Sequence, residues 1–167
     1  MTYQIASRRF AAPWSTSLRT LSALALFTIG VPAVYQLLNG RLVLSAILFA
    51  VLLVPASLTV RRYEIAGDEL RIRRLWWDTR WPLAGLTSAS VQPHVMAQSL
   101  RTWGNGGLFS FSGHFVNHPL GRYRAFVTDP ARTVVLRLST GVLVVSPDRP
   151  DDFVAALNAT GADSPAS

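Results

Sequence analysis

Apolar and polar positions divide the chain into two unlike parts. From Leu21 to Leu38 and from Leu42 to Val60 the side chains are almost all apolar, and only Asn39-Gly40-Arg41 separates the two runs. The runs hold 18 and 19 residues without an Asp, Glu, Lys or Arg. At about 1.5 Å of rise per residue, each comes close to the ~30 Å hydrocarbon core of a bilayer. Lipid offers no partner to a backbone N–H or C=O, so such runs are expected as helices, with Asn-Gly turning them into a transmembrane hairpin. The second run, richer in Leu, Val and Ala, carries the stronger signal; Gly30, Pro32, Tyr35 and Gln36 weaken the first. Pro32 and Pro55 fit as packing features of membrane helices. A signal peptide is the rival reading of the first run, but no small-residue cleavage site follows it and a second run begins three residues later.

Beyond Val60 the period shortens to two. Tyr63–Ala66 and Glu69–Leu75 flank Gly67-Asp68, a two-residue hairpin turn. Asp78-Thr79 leads to a strand over Arg80–Leu83, followed by Leu86–Val91, and Pro93 opens a polar stretch through Gly107. Phe109, Phe111 and Phe115 alternate with Ser110, Ser112 and His114 as on a half-buried strand whose serines face outward, and Tyr123, Ala125 and Val127 repeat the pattern. Thr133–Leu138 and Val142–Ser146 enclose Ser139-Thr140-Gly141 as a second hairpin. About seven strands result. Ser146-Pro147-Asp148-Arg149-Pro150-Asp151-Asp152 then announces a helix, with capping residues, proline in the first turn and early carboxylates. Phe153, Ala156 and Leu157 share its apolar face, it is expected to end near Ala159, and such a helix can plug the open end of a bent sheet.

Charge sharpens this division. The net +7 falls almost wholly on residues 1–62, which hold six arginines and no acid, whereas residues 63–167 hold ten arginines against nine acids. A nucleic-acid footprint needs a basic face on the binding domain itself, so nucleic acid is not expected as a partner. Eight arginines flank the outer ends of the apolar runs (Arg8, Arg9, Arg19, Arg61, Arg62, Arg71, Arg73, Arg74) against Arg41 alone in the turn, which predicts both termini in the cytoplasm. Tyr3, Ile5, Phe10 and Trp14 among the first arginines suit a headgroup layer, with Trp14 as an anchor; a disordered lead fits the same residues. All sixteen basic residues are arginine, the mark of a GC-rich coding genome, and without cysteine neither a disulfide framework nor a thiolate site can form.

The segments Tyr63-Glu-Ile, Gly67-Asp-Glu-Leu-Arg-Ile, Arg80-Trp-Pro-Leu, Gly107-Leu-Phe-Ser-Phe-Ser-Gly-His-Phe and Val144-Val-Ser-Pro-Asp-Arg-Pro-Asp-Asp-Phe-Val-Ala-Ala-Leu resemble the bacterial pleckstrin-homology-like (PH-like) family over residues 62–158. The resemblance implies a seven-stranded split barrel closed by a C-terminal helix, often attached to membrane helices, with no established catalysis. Fold alone does not license a function. The expected organisation is a cytoplasmic segment (1–18), a transmembrane helical hairpin (19–61), a PH-like domain (62–159) and a disordered tail (160–167), placed in the bacterial inner membrane.

Candidate chemistry is sparse. Ser110, Ser112, His114 and Asp129 invite a hydrolase reading, but no Gly-x-Ser-x-Gly elbow is present. His114 and His118 lack a helix to align them, and no Cys or Glu completes a metal shell, so no metal or cofactor is expected. Gly104-Asn105-Gly106-Gly107 lacks the Lys-Ser/Thr and helix of a nucleotide loop and reads as a flexible turn before a strand. The remaining cluster is Arg71, Arg73, Arg74, Trp76 and Trp77, with Arg80 and Trp81 close by. It has two readings: cations and amphipathic rings meeting anionic lipid headgroups, or solvated arginines over a barrel that Trp76 or Trp81 fills. The expected function is a non-enzymatic, membrane-anchored interaction module that docks a protein partner or a membrane complex at the cytoplasmic face. An anionic-lipid-binding module is the alternative, and a small membrane-bound enzyme with a site near His114 is the alternative of another class.

Overall fold

The computed structural model describes residues 7–162. Tyr3 and Ile5, assigned above to a headgroup layer, and residues 163–167 of the expected tail lie outside them. A short strand β1 (Arg8–Ala11) leads to helices α1 (Thr16–Leu38) and α2 (Leu42–Ser57). Strands β2 (Val60–Ala66), β3 (Glu69–Arg74), β4 (Asp78–Pro82), β5 (Leu86–Val91), β6 (Leu100–Leu108), β7 (Ser110–Asn117), β8 (Gly121–Val127), β9 (Val134–Leu138) and β10 (Gly141–Val145) follow, and helix α3 (Pro150–Ala162) closes the described chain.

Ser15 starts α1 by accepting the Leu18 N–H on its hydroxyl at 3.2 Å. Asn39 ends it, its side-chain amide donating to Tyr35 O at 2.8 Å, and Gly40 takes the positive φ of 72° that the reversal needs. The helices pack side by side, with Ser45 Oγ donating to Ala33 O at 2.9 Å and Leu52 against Gly30. The second apolar run does not continue as helix to Val60. It stops at Ser57, because Val60 is already paired with Arg74 in a sheet. Among the described residues α1, with 23 residues, is therefore the one helix long and apolar enough to cross a membrane, and α2, with 16, falls short. Two spans were expected from sequence, the second as the stronger; by length it is the weaker.

Among the described residues ten strands form two sheets in the orders β1-β2-β3-β4 and β5-β9-β10-β8-β7-β6, instead of about seven expected in one barrel. Both predicted hairpins are present, β2–β3 around Gly67-Asp68 and β9–β10 around Ser139-Thr140. The strands not foreseen are β1 and β6, and the stretch expected to continue from Arg80 to Val91 is split into β4 and β5, which lie in different sheets. Phe10 in β1 sits opposite Tyr63 and is buried, so this residue belongs to the β-domain and not to a headgroup layer or a loose lead. Gly104-Asn105-Gly106-Gly107 lies inside β6, paired with β7, and is not a turn before it. Gly104 faces Gly113 across the ribbon, each with positive φ (105° and 147°), where the backbones approach too closely for a side chain.

The main core lies between the sheets. Tyr63, Leu70, Ile72, Phe126, Leu136 and Leu143 meet there, and α3 adds Phe153, Ala156 and Leu157, the three residues its period predicted. The helix runs to Ala162, past the expected end at Ala159. Tyr63 crosses the core to donate its hydroxyl to Phe126 O at 2.6 Å; burial, tempered by hydrogen bonds with Ser146 and Thr128, pushes its pKa up to about 12. A second cluster on the other face of the larger sheet, including Phe115, Tyr123, Val135 and Val144, is packed by Val95 and Met96.

Few residues separate the helices from the sheets: 12–15 before α1, and 58 and 59 after α2. The joint is hydrogen-bonded as well. Ser15 N–H donates to Thr128 O at 3.1 Å and Phe109 N–H to Ser22 Oγ at 3.1 Å, while Ser110 Oγ reaches Leu58 O at 3.3 Å.

Candidate functional site

Alternation along β3 places Leu70 and Ile72 in the core and Arg71 and Arg73 on the outer face. These two arginines are not free cations. Arg71 Nε lies 3.5 Å from Glu69 Oε2, and Arg73 reaches Glu64 Oε2 at 3.2 Å and also pairs with Asp78. Glu64 is buried to 5 % exposure and has a second cation in Arg9 at 3.4 Å. Burial alone would raise its pKa, but hydrogen bonds from Ser7 and Arg73 and the charges of Arg9 and Arg73 together lower it.

A carboxylate with a depressed folded-state pKa contributes stability above its unfolded pKa, and that contribution is lost as pH falls through the folded value. Both arginines are well exposed, so the expected effect is modest: Glu64→Gln should cost about 1 kcal/mol near neutral pH. The gap between wild type and variant in thermal melts should close as the buffer is made acidic. A gap that stays constant from neutral pH into acid would remove Glu64 as the acid-sensitive tie between β1, β2 and β3.

Arg74 behaves differently from its neighbours. A register shift between Val60 and Arg62 follows β2 onto β3, and the Arg74 guanidinium lies over the Phe126 ring, with Cζ 4.8 Å from the centroid and 5.8 Å from that of Trp77. Burial, and then the charge of Arg124, lower its pKa. Beyond it, Leu75, Trp76 and Trp77 form the β3–β4 turn with 43 %, 76 % and 46 % of their surface exposed. Trp81, not Trp76, packs against the core. Because Val60 pairs with Arg74, this apolar turn stands beside the C-terminus of α2, and a cleft there brings Arg61, Arg62 and Arg74 together with Trp76 and Trp77.

The catalytic candidates are scattered. Ser110 and Ser112 are buried, where the alternation had placed them on the exposed face. Their hydroxyls lie 3.1 Å apart and serve Leu58 O at the end of α2. His114 is exposed on β7, and Gly113, at φ 147°, separates the buried serines from buried Phe115. Asp129 caps a short turn by accepting the Ala131 N–H and pairs with Arg132 at 3.4 Å. His94 lines a cleft with Met96, Ser99 and Phe111, while His114 lines another. Among the described residues no group of three His, Cys, Asp or Glu side chains is placed to hold a metal ion.

Sequence reasoning passed over Arg124. It lies in β8 with Cζ 5.4 Å from both the Trp81 and Phe126 rings. The signal available was Arg122-x-Arg124-x-Phe126, two cations on the face of an alternating strand that also carries a core residue.

A family model described as bacterial PH domain matches residues 61–160, and no enzymatic family is indicated. No curated protein and no solved structure matches the chain.

Proposed function

The chain belongs to the bacterial PH domain family, and from that membership we propose that it is a non-enzymatic interaction module, anchored in a membrane by α1 and α2 and docking a protein partner at the cytoplasmic face. The observation that carries the anchor is the surface of the helices. Phe27, Leu38, Val43 and Leu53 are 64–81 % exposed, whereas most apolar residues of the sheets are buried in a packed core. Exposed apolar area on that scale needs a cover, and lipid supplies one to helices whose backbone groups are satisfied internally. By length α2 rises only about 24 Å, so the pair acts as one hairpin with Arg41 extending toward the far headgroups. For the partner, the Leu100–Trp103 end of β6 is the best-placed surface. It is one of the two outer strands of the larger sheet, and Leu100 and Trp103 are 72 % and 78 % exposed. An extended segment of a partner protein can pair there.

Single-cysteine labelling in native membranes tests both parts, since the protein has no cysteine of its own. Asn39→Cys should label from outside the cell and Thr140→Cys only after permeabilisation, while Trp103→Cys, treated with a bifunctional crosslinker, should give a discrete heavier band. Asn39→Cys reacting only from inside overturns the orientation. A band unchanged when the cysteine is moved to Arg137 overturns docking on β6.

Contact with anionic lipid is the second reading, favoured by the Leu75-Trp76-Trp77 turn lying beside the end of α2 with Arg61 and Arg62. Brominated lipids should then quench tryptophan emission less in a Trp76→Phe, Trp77→Phe double variant than in wild type; equal quenching would take this turn off the lipid surface.

A further inference from the structure

Among the described residues five of the chain's sixteen arginines pair with carboxylates: Arg9 and Arg73 share Glu64, Arg71 meets Glu69, Arg132 meets Asp129, and Arg149 meets Asp148 and Asp152. Two of the others meet over one aromatic ring. Arg74 and Arg124 both lie against the Phe126 ring, at 4.8 and 5.4 Å, and among the described residues neither forms an ion pair. A guanidinium cannot shed its proton in a protein, so two half-buried like charges stand uncompensated. The Nε atoms of both arginines and the indole Nε1 of Trp81 are buried without a hydrogen-bond partner in the protein. Each is a donor removed from water, which is costly unless something accepts from it.

A cleft of about 470 Å³ opens beside this group. Trp81, Thr102, Trp103, His114, Arg122 and Arg124 line it, and no carboxylate is among its lining residues. Positions 122, 124 and 126 alternate onto one face of β8, so the cationic lining continues into the cluster around Phe126. Aromatic rings take the flat face of a guanidinium and leave its in-plane N–H groups for an acceptor.

We propose that this cleft is an anion site for a phosphate group, held by Arg124 and Arg122 with the Trp81 indole N–H, and supported by Arg74 from beside Phe126. Phosphate fits better than carboxylate. A phosphate monoester brings about −1.5 to −2 charge and three acceptor oxygens at pH 7, against the single charge of a carboxylate, and the cleft offers Arg122 and Arg124, neither in an ion pair among the described residues, with two unpartnered donors, Arg124 Nε and Trp81 Nε1. The phosphate can belong to a soluble ester or to a lipid headgroup. Placement favours the soluble source, because Arg122 and Arg124 precede Phe126 on β8 while the helices join the sheet beyond it, at Thr128.

Titration calorimetry of the full chain in detergent, with pyrophosphate as probe, tests the site. Wild type should bind saturably. Arg124→Ala should weaken binding about tenfold or more, and Arg74→Ala by a smaller factor. Arg137→Ala, an exposed cation on β9, should bind as wild type does. Trp81→Phe keeps the ring under Arg124 and removes only the N–H, so it tests the site even if Arg124→Ala fails to fold; it should weaken binding several-fold with its melting temperature unchanged. Displacement of pyrophosphate by phosphatidylglycerol nanodiscs assigns the phosphate to lipid, and absence of displacement assigns it to a soluble ester. No saturable heat at millimolar pyrophosphate, or equal affinity in wild type and Trp81→Phe, overturns the proposal.

Discussion

Phe10→Ala should destabilise the β-domain by about 3–5 kcal/mol, although the residue lies at the far side of two apolar helices from the rest of the domain in sequence. Its ring is 4 % exposed and meets Phe153 of α3 edge-on, with centroids 5.0 Å apart and an interplanar angle of 83°. Arg149 covers it from outside at 5.5 Å. The backbone is tied at the same place, since Asp148 N–H donates to Ala11 O at 2.9 Å and Ala11 N–H donates to the Asp148 carboxylate at 3.1 Å. Truncation therefore opens a cavity between β1, β2 and α3 that these fixed neighbours cannot collapse to fill. Near-ultraviolet circular dichroism of the full chain in detergent follows the aromatic core through a melt. A loss below about 1 kcal/mol would mean that β1 is an ornament of the sheet and not part of its core.

Gly113→Val should be nearly as damaging, with a loss of at least about 2 kcal/mol from backbone strain alone. At φ 147° a side chain is already disfavoured, and a Cβ would fall 2.2 Å from Trp103 O and 2.8 Å from Gly104 Cα. Both obstacles are backbone of the facing strand, so the β6–β7 ribbon has to separate. Gly121 supplies the control. It also has positive φ, 67°, but nothing lies within 4 Å of a Cβ there, so Gly121→Ala should cost only about 1 kcal/mol of strain. Equal melting temperatures for the two variants would show that the Gly104–Gly113 approach is not tight in solution.

The parts legible in sequence are those where side chains carry the pattern. Gly67-Asp68 and Ser139-Thr140 gave their hairpins because turn chemistry is local, and the face of α3 was set by Phe153, Ala156 and Leu157 at helical spacing. Strand β6 was hidden because three of its nine residues are glycine and its two buried positions, Asn105 and Gly107, carry no apolar side chain to alternate. The serine face of β7 was inverted for a different reason. A hydroxyl prefers solvent unless a buried acceptor meets it, and Leu58 O, more than fifty residues away in sequence, is that acceptor. Likewise Arg71, Arg73 and Arg74 read as one basic patch, but strand parity and the shift opposite Val60 send two of them outward to carboxylates and bring the third over Phe126. Which cations are paired depends on long-range register, and Arg124 joined the picture only through it.

The two residues between α2 and β2, and the serine bonds beside them, leave the joint without slack. A PH module on a long flexible tether samples every orientation above its bilayer, and its position records nothing about the lipid beneath. With the helices embedded as proposed, this one differs. A bilayer thicker or thinner than the apolar length of a helix pair is met partly by tilting it, and without play at the joint the whole β-domain must lean by the same angle. Bilayer thickness would thereby be converted into the direction in which the outer edge of β6 points, making the molecule a goniometer for the membrane that holds it.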